Sequence, residues 1–332
     1  MKTDLSLMGA QVDCAARAAA AEALGADALW VAETGHDPFL TVAMAATTTQ
    51  RVQLGTNIAV AFARSPMTVA MAANDLQELS GGRFVLGLGS QIRAHITRRF
   101  SMPWSAPAAR MKEYVGALRT IWRGWAEGTP VAFDGEFYAF SLMTPMFDPG
   151  PNPYGPPPVY LAAVGPRMTQ VAGEVGDGLL CHPFASPRYL RDVTLPALLA
   201  ARGSLEGFEV CGAPIVATGR NEAELAATTE QARGQLAFYA STPAYRPVLD
   251  LHGWGDLHTE LRARSLRGEW AGMGALVDDE MLRTLAVVAE PERVAEEVAG
   301  RFGGLLTRVA LPLHGAVEPS VWGPVVARLR SL

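Results

Sequence analysis

Polar residues follow directly after short apolar runs at several points in this chain, and their types set the chemistry to consider. Glu33, Thr34 and His36 come after the run at 28–31, and Asn57 and Ile58 close the run at 52–58. The stretch 81–93, GGRFVLGLGSQIR, ends in Gly87, Gly89, Ser90, Gln91 and Arg93, with His95 just beyond. The run at 159–162 leads into Ala163, Val164, Gly165, Pro166 and Arg167, and later run ends supply Cys181, His182 and His314. Gly87 and Gly89 carry no Cβ, so another backbone or a flat ligand can approach; tight sheet packing alone would also account for them. Val164-Gly165-Pro166 reads as a helix start whose free N–H groups hold a phosphate, with Arg167 adding charge; a plain Gly-Pro helix start with a surface arginine is the simpler alternative. Glu33 is the one well-placed acid, and Glu33 and His36 are the candidate catalytic residues. No G-x-S-x-G elbow and no paired carboxylates occur at run ends, which leaves hydrolysis poorly supported. His252 and His258 lie six apart, off one helical face, and read as ordinary polar surface; no metal spacing is present. Sparse hydrogen-bonding polarity in an apolar lining suits a flat aromatic cofactor that carries the chemistry itself.

These residues need elements to position them. Strands are expected at 2–8, 28–31, 52–58, 83–89, 159–162, 178–181, 210–217 and 307–313, with helices between them. Asp37-Pro38, Ser65-Pro66, Asn221, Pro291 and Pro319 mark helix starts, and Gly25 a helix end. Eight strand–helix units give a (β/α)8 TIM barrel, in which active sites sit at the C-terminal ends of the strands. The hairpin at 131–140, carrying Asp134-Gly135, and the segment 241–290 are insertions in one domain spanning 1–332. The second insertion reads as partly helical with no clear strand, and as a possible lid with Tyr239 and Tyr245 on its inner side. An open dinucleotide-binding sheet would want G-x-G-x-x-G after the first strand; Gly9-Ala10-Gln11 stands there instead.

A net charge of −5, with no basic cluster beyond a few residues, argues against a nucleic-acid surface. Hydrophobic content of 49% against 18% charged is that of a globular chain. Cys14, Cys181 and Cys211 lie far apart without ligand spacing, as in a reducing compartment. No signal-peptide core or bilayer-length apolar run is present, so a cytoplasmic protein without membrane contact is expected.

The stretches 24–31 (LGADALWV), 51–58 (RVQLGTNI), 65–89 ending SGGRFVLGLG, 158–180 (PVYLAAVGPRMTQVAGEVGDGLL) and the later PERVAEEV resemble the bacterial luciferase-like monooxygenase superfamily. The likeness is strongest to its coenzyme F420-dependent branch, and it spans nearly the whole chain in the right order. It implies a barrel with the cofactor ring at the strand ends and a non-prolyl cis peptide at Asn57-Ile58. It also implies phosphate binding at Val164–Arg167, cofactor contacts from Thr34, Asn57, Ile58, Gly89, Ser90, Gln91 and Ala163, and a homodimer. Hydride transfer between F420 and a small organic substrate follows as the expected activity. Alternatives are an FMN-dependent monooxygenase using O2 with a partner flavin reductase, and a barrel that binds cofactor without turnover. The chain departs from the branch at Glu33-Thr34, where an Asp-His pair is usual, and at Gln91-Ile92, where a Glu is usual. His36 stands in for the missing histidine or caps the following helix.

Overall fold

Short apolar runs bounded by turn residues form the strands, and alternation of large and absent side chains across neighbours lets them close. The computed structural model describes residues 1–7, 13–312 and 319–332; Gly9–Gln11 and His314 lie outside them. The barrel strands are β1 (Lys2–Leu7), β2 (Ala28–Val31), β3 (Gln53–Thr56, resumed at Ala59–Val60), β4 (Phe84–Gly89), β5 (Val159–Ala163), β6 (Gly178–Cys181), β7 (Glu209–Gly212) and β8 (Arg308–Pro312). All pair in parallel in chain order, β1 with β8, and the pairing of β3 with β4 completes the closed ring. Inside it, Trp30 and Tyr160 lie with ring centroids 5.9 Å apart. They have room because the facing positions are glycines: a Cβ on Gly55 would overlap the Trp30 ring, and one on Gly178 would lie 2.7 Å from Tyr160.

Below these rings the barrel closes on a buried ion pair. Arg308 donates from Nε and Nη2 to the two oxygens of Asp4 at 2.8 and 2.9 Å, and from Nη1 to Gln53 Oε1 at 2.8 Å. Trp30 Nε1 donates to Asp4 Oδ2 at 2.8 Å. Asp4 and Arg308 are 0% and 1% exposed, so their charges are satisfied within the protein, by each other and these neighbours, with Glu209 Oε1 3.8 Å from Arg308 Nη1 and the Cys211 thiol 4.0 Å from Asp4 Oδ2.

The helices are α1 (Cys14–Ala23), α2 (Pro38–Ala46), α3 (Pro66–Leu79), α4 (Arg93–Arg98), α5 (Pro107–Glu127), α6 (Pro166–Val175), α7 (Leu195–Arg202), α8 (Glu222–Ala240), α9 (Arg246–Leu251), α10 (Gly255–Arg267), α11 (Asp279–Leu285), α12 (Pro291–Phe302) and α13 (Pro319–Ser331). Asp37, Ser65 and Asn221 cap α2, α3 and α8 through their side chains, satisfying first-turn N–H groups. Among the described residues no helix is long and apolar enough to cross a membrane. The hairpin forms with Phe133–Asp134 against Ala139–Phe140, its loop N–H groups donating to the Glu113 carboxylate.

Three sequence expectations are corrected. The strand expected over 210–217 is broken at Ala213-Pro214, because proline has no N–H to give a ladder. Its second half, Ile215–Ala217, leaves the barrel and pairs in parallel with Ala286–Val288. A strand therefore does exist within 241–290. It is only three residues long and follows α11 directly, so it carries no alternation to read. The segment 215–288 packs a core of its own, built on Leu236, Val248, Leu249, Leu261, Met281 and Leu285. His258 belongs to that unit and is not surface: it is 5% exposed, with Nδ1 2.7 Å from the Ala240 carbonyl. His252 is half-buried, with Nε2 2.8 Å from Ser186 Oγ and its ring stacked on Trp254. Neither position follows from spacing, because both depend on α8 and the β6 loop folding against α9 and α10.

Candidate active site

A cavity of about 1880 Å³ opens at the C-terminal ends of the strands. Its lining gathers Glu33, Thr34, Asn57, Ile58, Gly89, Ser90, Gln91 and Ala163–Arg167 from four different strand ends. His36 is exposed and is not part of that lining. It does not cap α2 either: the Asp37 carboxylate accepts the N–H groups of Phe39 and Leu40.

Beside the cavity floor, β3 is interrupted by a cis peptide between Asn57 and Ile58. The glycines of β4 make room for it. A Cβ on Gly87 would overlap the Thr56 carbonyl oxygen, and one on Gly89 would lie 2.8 Å from Ile58 Cδ1. The close approach read from these glycines is therefore to the chain's own bulge, and Ile58 is laid over Gly89 as an apolar platform. Glu33 holds the bulge from the other side. Its N–H donates to Ile58 O at 3.2 Å, and its carboxylate accepts from Val60 N at 2.7 Å and from Arg64 Nη1 at 2.7 Å. Arg64 also donates to Asp37 at 2.8 Å, and its charge is held more firmly by the two carboxylates despite partial burial. The Glu33 carboxylate is thus a fastening, with its charge already paired. The Arg64 partner cannot be read from the sequence, because nothing local links positions 31 residues apart.

Around the rim the charge is positive. Arg93, Arg98, Arg167 and Arg262 line the cavity and have no ion-pair partner among the described residues. Glu33 is the sole carboxylate of the described lining. Arg167 stands in the first turn of α6, whose cap residue Gly165 makes no side-chain bond to the free N–H groups. A Cβ on Gly165 would meet nothing within 4 Å, so this end of the helix is open to the cavity. Gln91 is less available than its position suggests: it sits at φ 58°, and its Oε1 accepts the N–H of Ile92 at 3.0 Å.

The far wall comes from the second insertion and α8. Tyr239, Tyr245, Arg262, Leu266 and Trp270 line it, facing His182 at the end of β6. The His182 ring stacks on Tyr245 with centroids 4.1 Å apart and meets Tyr239 edge-on at 4.6 Å. Burial lowers the His182 pKa to about 3, so the imidazole is neutral. Burial also pushes the neighbouring Cys181 thiol up to about 12, which rules it out as a nucleophile at neutral pH.

The chain and its fold have relatives among known proteins. The family model described as luciferase-like monooxygenase matches residues 9–308. A Mycobacterium tuberculosis protein described only as uncharacterised is 53% identical, covering 96% of this chain and 94% of that one. A second protein of the same organism, described as a putative coenzyme F420-dependent oxidoreductase, is 30% identical over 85% of each chain. The solved coenzyme F420 dependent tetrahydromethanopterin reductase from Methanopyrus kandleri superposes with a TM-score of 0.82 at 19% identity, covering 99% of this chain and 98% of that one. With eight parallel strands closed around Trp30 and Tyr160, a bulge at Asn57-Ile58 and a family match along nearly its full length, the chain belongs to the luciferase-like monooxygenase family.

Proposed function

We propose that the protein is an oxidoreductase that binds the deazaflavin coenzyme F420 at the strand ends and exchanges a hydride between it and a small organic substrate. The observation that carries this reading is the pairing of an apolar platform, Ile58 over Gly89, with an open helix start and arginines that have no ion-pair partner among the described residues. That combination fits a flat ring with an anionic tail. The relatives with F420 in their descriptions support the same choice. When bound, the deazaflavin supplies two-electron hydride chemistry. The chain's own part is to hold and orient. The N–H groups of α6 and Arg167 bind the phosphate, Ile58 supports the ring, and Glu33 with Arg64 fixes the bulge that carries Ile58. The apolar walls exclude water from the reacting face.

Titration of the purified protein with F420, reduced F420 and FMN tests this reading. F420 is expected to bind more tightly than FMN, and Arg167→Glu is expected to weaken F420 binding about tenfold or more at low salt. Preferential binding of FMN would move the assignment to a flavin-dependent monooxygenase. Unchanged affinity in Arg167→Glu would remove α6 from the site.

We also propose a homodimer formed through the outer faces of α2 and α3. Leu40 and Met71 are 61% and 54% exposed there, and Met44 and Leu79 on the same two helices are exposed as well, apolar surface that water does not favour. Met71→Arg is expected to turn a dimer into a monomer in light scattering. A wild-type protein that stays monomeric as its concentration rises would overturn the assignment.

A further inference from the structure

The wall opposite the proposed ring platform sets two uncharged hydrogen-bond donors, His182 and Tyr239, among aromatic and apolar side chains. His182 stands one residue beyond Cys181, which is in register with Ala163, so the ring sits at the strand end next to the proposed phosphate loop. Its Nδ1 accepts the backbone N–H of Phe184 at 3.2 Å. An imidazole nitrogen that accepts carries no proton, so the single proton of the neutral ring is on Nε2. That N–H has no acceptor among the described residues, and the side chain lines the cavity. Tyr239 repeats the pattern. Its oxygen accepts from Gln235 Nε2 at 3.1 Å, and its own O–H proton has no described acceptor. Stacking against Tyr245 and edge contact with Tyr239 fix the plane of the imidazole. The neighbouring lining from Phe238, Leu266 and Trp270 is apolar.

We propose that His182 Nε2–H, seconded by the Tyr239 hydroxyl, is the recognition point for an uncharged acceptor oxygen of the substrate. The substrate class is then a neutral, largely apolar compound bearing a carbonyl or hydroxyl group. This rests on the reading of the cavity as an oxidoreductase site and adds the half of it that faces the substrate. A neutral imidazole suits the task, since it polarises a carbonyl without bringing a buried charge that would itself need a partner. The low His182 pKa, caused by burial, agrees with that state. Arg262 on α10 reaches the same cavity, and an anionic substrate held by it is the competing outcome.

The test needs no cofactor, so its failure is separate from failure of the F420 titration. In protein with 15N-labelled histidine, His182 is expected to show the Nε2–H tautomer at neutral pH, and acetophenone is expected to perturb that signal. Acetophenone is then compared with α-methylstyrene, which has the same shape but no oxygen, and with benzoate. His182→Phe keeps an aromatic ring against Tyr245 but removes the donor. It is expected to shift the acetophenone-to-α-methylstyrene affinity ratio against acetophenone by about five- to tenfold, the range of one hydrogen bond. His182→Gln, which retains N–H donors, is expected to recover part of it. An Nδ1–H or charged ring, no perturbation by acetophenone, an unchanged ratio in His182→Phe, or tighter binding of benzoate would each overturn the proposal. The tautomer measurement on the wild type stands whether or not His182→Phe folds.

Discussion

Arg308→Met is expected to cost about 3–5 kcal/mol of folding stability, the usual effect of removing one partner from a buried ion pair. Asp4 would be left in the barrel floor with the Trp30 N–H at 2.8 Å and the weak Cys211 thiol donor at 4.0 Å to face its charge. In the wild type, burial already pushes the Asp4 carboxyl above its ordinary value, against the pull of Arg308 and Trp30. Without Arg308 the rise is larger, and this sets the sign of the pH dependence. A buried acid with a raised pKa binds its proton in the folded state before the unfolded state does. Stability of Arg308→Met therefore falls as pH rises, and the deficit shrinks on acidification toward the unfolded-state carboxyl pKa. Calorimetry is expected to show a melting temperature lower by about 4–7 °C at neutral pH, given the usual unfolding entropy per residue. Asp4→Leu combined with Arg308→Met removes both charges and is expected to be less destabilised than Arg308→Met alone. A double variant at least as unstable as Arg308→Met would show that Arg308 matters for packing over Trp30 and not for charge.

The ion pair also marks a limit of reading this chain from its residues. Asp4 and Arg308 are separated by 304 positions, and each sits in an ordinary short strand. Only closure of β1 against β8 makes them neighbours. The strands are legible because each is a buried run with its own turn signals, and the helix starts because Asp37, Ser65 and Asn221 act on N–H groups two or three residues away. Once a barrel is expected, its polarity follows, and most of the cavity lining can be named by taking what stands after each run. Partnership is what a run does not contain. Glu33 has the position of a catalytic acid and the bonds of a fastening, and the difference is made by Arg64 and Val60. His258 has the composition of a surface residue and is buried because α10 packs on α8. His182 stands in plain view at a strand end; its tautomer is decided by the backbone N–H of Phe184.

The glycines of β4 leave space, and the structure separates what each space is for. Gly87→Ala is expected to be severely destabilising, at or above the upper end of the about 1–3 kcal/mol typical of an overpacked core. The added methyl would collide with the Thr56 carbonyl oxygen and lie 2.8 Å from Leu180 Cδ1. Thr56 cannot retreat without losing its own bonds to the same residue: its Oγ1 donates to Gly87 O at 2.7 Å and accepts from Gly87 N at 2.9 Å. The obstacle is backbone, with no rotamer to give, and Asn57 and Ile58 follow directly after it. The three atoms nearest the methyl group of Gly89→Ala all belong to the Ile58 side chain, with Cδ1 and Cγ1 at 2.8 Å. A side chain can turn away, so this variant is expected to fold with a melting temperature near that of the wild type. Turning moves Ile58 off its platform and into the cavity, and F420 binding is expected to weaken by about tenfold, the scale of overpacking a close-fitting surface by one methyl group. The two variants thus divide one pair of glycines between fold and site. Calorimetry and F420 titration on both decide it: a Gly87→Ala protein as stable as wild type would contradict the packing of β4 on the bulge, and a Gly89→Ala protein that binds F420 unchanged would remove Ile58 from the cofactor's support.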